Sequence, residues 1–310
     1  MDLYGQEVEV GLLTSFISRL ENGSVIDVGA ERGGFAEEML RAGSDTVYVI
    51  EPEPDNVAFL RNHFRDDQRV VVHEYAISDN DTELQLHVAV DADGAPLSFG
   101  HTVLDRPDTD EIGWAKAISV NARSLASLVV AGEIPARVGI LKVDTEGHDL
   151  AVVLGMGELD CDVVMVEHWT DLPLSLGSCP WTTDEIVGVL QPRGFSHFAF
   201  IVHRGELVTL RWDDGDVPAG FMGNLIFLHD RVLQRLLPDV IACASSLAER
   251  AVELAEARTG VAAERLAVIE ELAQAADERL LLLKSQEATI SELTGGGDVE
   301  AEAPELRSRT

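Results

Sequence analysis

The chain has 310 residues, 46% of them hydrophobic, which is enough for one sizeable core and an appendage. Its 55 acidic residues against 23 basic ones give a formal net charge of −32, which repels polyanions and excludes nucleic acid as an expected substrate or partner. No run approaches the roughly 18 apolar residues of a membrane span, and MDLYGQEVEV lacks the basic segment and apolar core of a signal peptide, so a cytoplasmic protein without a membrane span is expected.

Apolar β-rich runs alternate with helical patterns through the first 230 residues. Strands are expected at VIDV (25–28), TVYVIE (46–51), VVVHEYAI (70–77), VGILKVD (138–144), DVVMVEH (162–168), SHFAFIV (196–202) and NLIFLH (224–229). Helices are expected at 33–43, 54–64, 148–157 and 182–194, where apolar spacing is helical and glycines mark the stops. This alternation predicts an α/β fold with a doubly wound, mostly parallel seven-stranded sheet. The stretch 79–137 is less regular and reads as a hairpin with loops beside the site. The three cysteines, Cys161, Cys179 and Cys243, have no paired spacing and read as free thiols.

From about residue 231 aromatic residues vanish, and glutamate, alanine, leucine and arginine dominate. Leu233, Leu237, Val240, Ala244, Leu247, Ala251 and Leu254 recur at heptad-like spacing, so 231–294 is expected to be a long helical or coiled-coil region. Such a seam serves a second copy or a partner protein, or packs back on the preceding domain. Residues 295–310 read as a disordered acidic tail.

The loop after the first strand, VIDVGAERGG (25–34), sets glycines before a helix N-terminus, where backbone N–H groups meet a polar ligand. A dinucleotide turn would have glycine where Glu31 stands, and a carboxylate there serves a pyrophosphate poorly. Glu51 ends the second strand, where an acid accepts both hydroxyls of a ribose. Asp27, Gly29, Gly33 and Glu51 therefore suit a nucleoside with no pyrophosphate and with cationic groups, namely S-adenosylmethionine. Ala76 and Ile77, ending the third strand, are expected at the adenine edge.

A second group lies in ILKVDTEGHDLAVVLGM (140–156). Asp144, Glu146 and His148 come within five residues at a strand tip, where Glu146 or His148 can act as a base on a hydroxyl and Asp144 can orient the acceptor. Lys142, inside an apolar strand, is expected to pair with a carboxylate. The next strand ends in Glu167, His168 and Trp169. Asp144, Glu167 and His168 together are a candidate set for Mg²⁺ or a similar ion, with hydrogen bonding to substrate as the alternative. Trp181 and Trp212 are candidates for stacking on a sugar, or for the core.

These segments resemble the FkbM family of S-adenosylmethionine-dependent methyltransferases. VIDVGAERGGFA is similar to its first motif, VIEPEPDN to its second strand, HEYAISDNDTEL to its third, and LKVDTEGHDLAVVLGM to its most specific one. The resemblance covers about 20–170. It implies a class I methyltransferase fold, with Asp27, Gly29 and Glu51 at the methyl donor and Asp144, Glu146 and His148 at a small-molecule or glycan acceptor. The chain departs from the family at GAERG, at NARSLASL (121–128) and at Asp149. The rival readings are an NAD-binding oxidoreductase and a non-catalytic scaffold assembled through the C-terminal helices.

Overall fold

The computed structural model describes residues 7–106, 112–170, 178–215, 220–257, 274, 278–281 and 283–286. The expected tail at 295–310 and much of the second half of the expected helical region lie outside the described residues.

In chain order the elements are α1 (Glu7–Ile17), β1 (Val25–Val28), α2 (Gly34–Arg41), β2 (Val47–Ile50), α3 (Pro54–His63), β3 (Val70–His73), β4 (Ala76–Ile77), β5 (Thr82–Val90) and β6 (Gly113–Arg123). Then follow α4 (Leu125–Ala131), β7 (Arg137–Val143), α5 (Asp149–Leu154), β8 (Asp160–Thr170), α6 (Thr183–Leu190), β9 (His197–Arg204), β10 (Leu207–Trp212), β11 (Phe221–Leu228) and α7 (Leu233–Ala257).

The main sheet has eight strands in the order β10-β9-β11-β8-β7-β1-β2-β3, and β4-β6-β5 form a second, smaller sheet. The expected seven-stranded, mostly parallel sheet is thus corrected to a mixed one. Strands β3, β2, β1, β7 and β8 pair in parallel. Beyond β8, β11 runs antiparallel to both β8 and β9, and β10 runs antiparallel to β9. The cause of the last pairing is local. Arg204 faces Leu207 across a two-residue turn, Gly205-Glu206, with Gly205 at φ +59, and so tight a turn can only return the chain beside itself. The expected strand 70–77 splits at Glu74 and Tyr75, its first half pairing with β2 and its second with β6.

Alternate residues of the parallel strands enter two cores, as a doubly wound sheet requires. Val25, Val49, Ile140, Val163 and Met165 pack on one face, under α1, α2 and α7; Ile26, Ile50, Leu141, Val164 and Val166 pack on the other, under α4, α5 and α6. The heptad-like stripe of α7 belongs to the first core. Leu233, Leu236, Leu237, Val240 and Leu247 are buried there beside α1 residues, and α7 lies along β10. Over 233–257 this stripe thus packs back on the preceding domain, one of the two arrangements expected of it. No described helix is long and apolar enough to cross a membrane.

Candidate active site

Side chains alternate along each strand, so the strand tips at the carboxyl edge sort onto two faces. Asp27, Glu51, Lys142, Asp144 and Glu167 share the parity of the first core, and all sit at the ends of β2, β1, β7 and β8. They form one polar row across four adjacent strands, in the edge position where open α/β sheets bind ligands.

At the β1–β2 end of this row the chain turns at Gly29, which has φ +75. A Cβ on Gly29 would stand 1.8 Å from the Asp144 carbonyl oxygen, so glycine is demanded both by the backbone angle and by the loop that crosses it. Gly33 is the left-handed N-cap of α2 and packs against Leu60 and Phe64. Glu31, also left-handed at φ +51, donates its N–H to Glu51 Oε2 at 2.9 Å, while the Glu53 N–H holds Oε1 at 3.0 Å. Glu51 is 4% exposed, and burial pushes its carboxyl up to about 7 against the pull of these two N–H groups.

Lys142 neutralises the middle of the row, as expected from its place in an apolar strand. Its Nζ lies 3.0 Å from Asp27 Oδ1 and 3.4 Å from Asp144 Oδ2, and it donates to the Gly29 carbonyl at 3.2 Å. Burial works against this ammonium, but the two facing carboxylates outweigh it and hold the lysine above its ordinary range. Asp27 is fully buried, and its Oδ2 has no hydrogen-bond partner among the described residues.

At the β7–β8 end the loop after β7 carries Glu146 at φ +54 and Gly147 at φ +98. A non-glycine residue there costs of order 1 kcal/mol, the kind of strain that gathers at functional sites. Burial, and then the charge of Asp144, raise the half-buried Glu146 carboxyl to about 7, with Arg106 pulling it back. Asp149 is buried inside the loop, where it accepts from Thr145 Oγ1 at 3.3 Å and from the Gly147 N–H at 3.2 Å. Burial and the charges of Asp144, Glu146 and Asp149 push Glu167 well above the carboxylate range.

Several expected residues lie elsewhere. His148 turns toward β4, with Nε2 3.0 Å from Ser78 Oγ, and burial lowers its pKa while Asp79 resists. This histidine, expected as a base beside the carboxylates, thus contacts the β4 tip. Ala76 and Ile77 are buried in two different apolar clusters, which leaves Ser78 and Asp79 as the polar groups of that edge. The metal set Asp144, Glu167 and His168 does not assemble. His168 follows Glu167 directly in β8 and points to the opposite face, packing against Trp181 at 4.7 Å between ring centroids. Burial lowers His168 to about 4. Among the described residues no three His, Cys, Asp or Glu side chains are grouped to hold a metal ion, and the donors present do not fit Mg²⁺. Trp181 and Trp212 are buried in the core.

The long connection from β5 to β6 supplies contacts that carry no sequence signature. Ser98 Oγ donates to Glu31 Oε1 at 2.7 Å, and the Ser98 carbonyl accepts from Asn56 Nδ2 at 2.8 Å. Thr102 Oγ1 and Arg106 Nη2 donate to the Glu146 carbonyl at 3.1 and 2.7 Å, and the Arg106 guanidinium lies 5.2 Å from the Trp169 ring centre. This strap touches both ends of the polar row. Isolated serines, threonines and arginines in an irregular loop announce nothing by periodicity, so only the general placement beside the site was readable.

A curated relative, hexuronic acid methyltransferase AglP of Haloferax volcanii, is 27% identical over 157 residues, which is 50% of this chain and 58% of that protein. The chain thus matches a little over half the length of this relative. Among solved structures, a magnesium protoporphyrin IX methyltransferase from Synechocystis with bound SAM aligns at TM-score 0.40 and 9% identity, over 74% of this chain and 85% of that one. The N-terminal domain of EvdMO1, solved with SAH and D-fucose, aligns at TM-score 0.40 and 7% identity, over 72% and 83%. Scores this low carry no argument. The model of the methyltransferase FkbM domain, however, matches residues 27–196, which include the end of β1 and all of β2, β7 and β8 with every member of the polar row, and the chain belongs to that family.

Proposed function

We propose that this protein is an S-adenosylmethionine-dependent methyltransferase that methylates a hydroxyl of a sugar, glycan or secondary metabolite. The observation that carries the reading is Glu51, buried at the tip of β2 with both carboxylate oxygens aimed by backbone N–H groups beside a glycine turn. The surrounding groups fit this donor: the neighbouring side chains are carboxylates, which suit a sulfonium and an ammonium, and Asp27 Oδ2 is buried without a partner. The same carboxylates, with Glu31 inside the turn, oppose the pyrophosphate of NAD.

The donor supplies an electrophilic methyl group, so the chain has to position an oxygen and take its proton. Glu51 binds the ribose hydroxyls, and the Asp27–Gly29–Gly33 turn lines the rest of the donor. Ser78, supported by His148, marks the adenine edge together with the backbone of Ala76 and Ile77. Glu146 is the proposed base, because a carboxyl near 7 takes a proton efficiently at neutral pH. Asp144 and Glu167 orient the acceptor. The sugar preference rests on the polyol-friendly carboxylates and on the hexuronic acid named for the AglP relative.

Calorimetric titration with S-adenosylmethionine, S-adenosylhomocysteine and NAD tests this reading. The first two are expected to bind, and Glu51→Ala is expected to weaken both by roughly 10- to 100-fold, the worth of charged hydrogen bonds. A preference for NAD, or donor binding indifferent to Glu51→Ala, overturns it.

A further inference from the structure

The polar row does not end at β8. Strand β11 is its next neighbour, and in that register Asn224 stands directly opposite Glu167. Opposed residues of an antiparallel pair share a face, with Cβ atoms about 4.5–5.5 Å apart. On β9, His203 has the same parity as Ala199 and Ile201 of the first core. Helix α1 lies over this face and lowers Glu9 into it. Glu9 Oε1 accepts from Asn224 Nδ2 at 3.0 Å and meets His203 Nε2 at 2.5 Å.

These three side chains are almost wholly enclosed, at 0% exposure for Glu9, 3% for Asn224 and 9% for His203. Glu9 sits on the apolar side of α1 among Leu12, Leu13 and Phe16, where a leucine would pack the helix without enclosing a charge. With Nδ2 taken by Glu9, the Asn224 amide keeps Oδ1 as an acceptor with no partner among the described residues. Its cross-strand neighbour, Glu167, is the carboxyl that burial and three nearby carboxylates drive toward the neutral, proton-donating form. The register therefore sets an unsatisfied acceptor on the residue opposite a carboxyl whose surroundings favour its protonated form.

We propose that Glu9, His203 and Asn224 form a positioning network that orients the Glu167 carboxyl at the acceptor end of the cleft. All three lie outside residues 27–196, so the segments flanking the family domain complete its site. The network rests on the methyltransferase reading for the reaction it serves, but not for the contact it makes.

The side-chain ¹³C carboxyl resonance of Glu167, assigned by its loss in Glu167→Gln, reads that contact without any acceptor. It is expected to move in Asn224→Leu and Glu9→Leu and to hold its place in Glu9→Gln, whose amide oxygen still accepts from Asn224. With S-adenosylmethionine and a hexuronic acid acceptor, the two leucine variants are expected to lose about tenfold in kcat. The KM for the donor should stay unchanged, and Glu9→Gln should recover most of the rate. S-adenosylhomocysteine binding and a thermal melt establish that each variant is folded, and Asn224→Ala replaces any that is not. An unmoved resonance in folded variants, or a rate loss in Glu9→Gln equal to that in Glu9→Leu, overturns the network. Absence of turnover by the unaltered protein, with the resonance behaving as expected, instead counts against the methyltransferase reading and leaves the network standing.

Discussion

The two ends of the polar row use the same residue type in opposite ways. At β1 and β2, Asp27 and Glu51 are met by fixed positive or N–H groups: the Lys142 ammonium on one, and the Glu31 and Glu53 amides on the other. At β7 and β8, Glu146, Asp149 and Glu167 crowd one another and Asp144, with Arg106 at the edge. Burial raises carboxyls at both ends, Glu51 and Glu146 alike to about 7, so the ends differ not in proton affinity but in what meets each group. A carboxylate whose two oxygens are each held by a backbone N–H is fixed in direction, which suits the recognition of a constant ligand. One crowded by other carboxylates has its charge resisted by its neighbours, which suits proton transfer.

The sharpest way to break this division is to remove the cation. Lys142→Met leaves Asp27 and Asp144 facing each other without compensation, and a loss of about 3–5 kcal/mol in urea unfolding is expected. A variant as stable as the parent would mean that Lys142 does not hold Asp27 and Asp144 together. Next in size, Glu146→Gln is expected to lower kcat by roughly 100-fold and to abolish the rise of activity as pH passes through about 7, with donor affinity kept. A pH profile of unchanged shape would move the proton acceptor elsewhere. The smallest effect separates the groups thermodynamically. Glu51, Glu146 and Asp149 titrate near 7 in the fold, above their ordinary 4.5, 4.5 and 3.8, so the fold holds protons that the unfolded chain has released. Stability from these groups is full below about pH 4 and is lost as pH rises through 7, which should lower Tm by about 5 °C between pH 5.5 and 8. Calorimetric scans that show Tm rising over this interval would contradict it.

The parallel half of the sheet was legible because buried parallel strands write themselves as apolar runs ending in a polar residue, as VIDV and LKVD do. Pairing direction is not written there. NLIFLH looks the same in either sense, and the hairpin turn at Gly205 fixes only the pairing of β9 with β10, not that of β11 with its neighbours. Helix α1 was hidden by Glu9, a charge on its buried side that spoils the apolar stripe. Within the site, the residue types of both motifs were readable, and so was the pairing of Lys142. Side-chain direction was readable only where strand parity decides it. Parity applied to Glu167 and His168 alone separates them, whereas the turn of His148 toward Ser78 depends on a loop geometry that no spacing encodes.

The contact between Gly29 and the Asp144 carbonyl binds the histories of the two loops together. Neither motif is a detachable cassette: a side chain gained at position 29 is a lesion in the loop after β7 as much as in its own, because that carbonyl occupies the space it would need. Among descendants of this chain, drift in the glycine turn is therefore admissible only where the loop bearing Glu146 shifts in step. A graft of either motif onto a foreign sheet would have to carry the other with it.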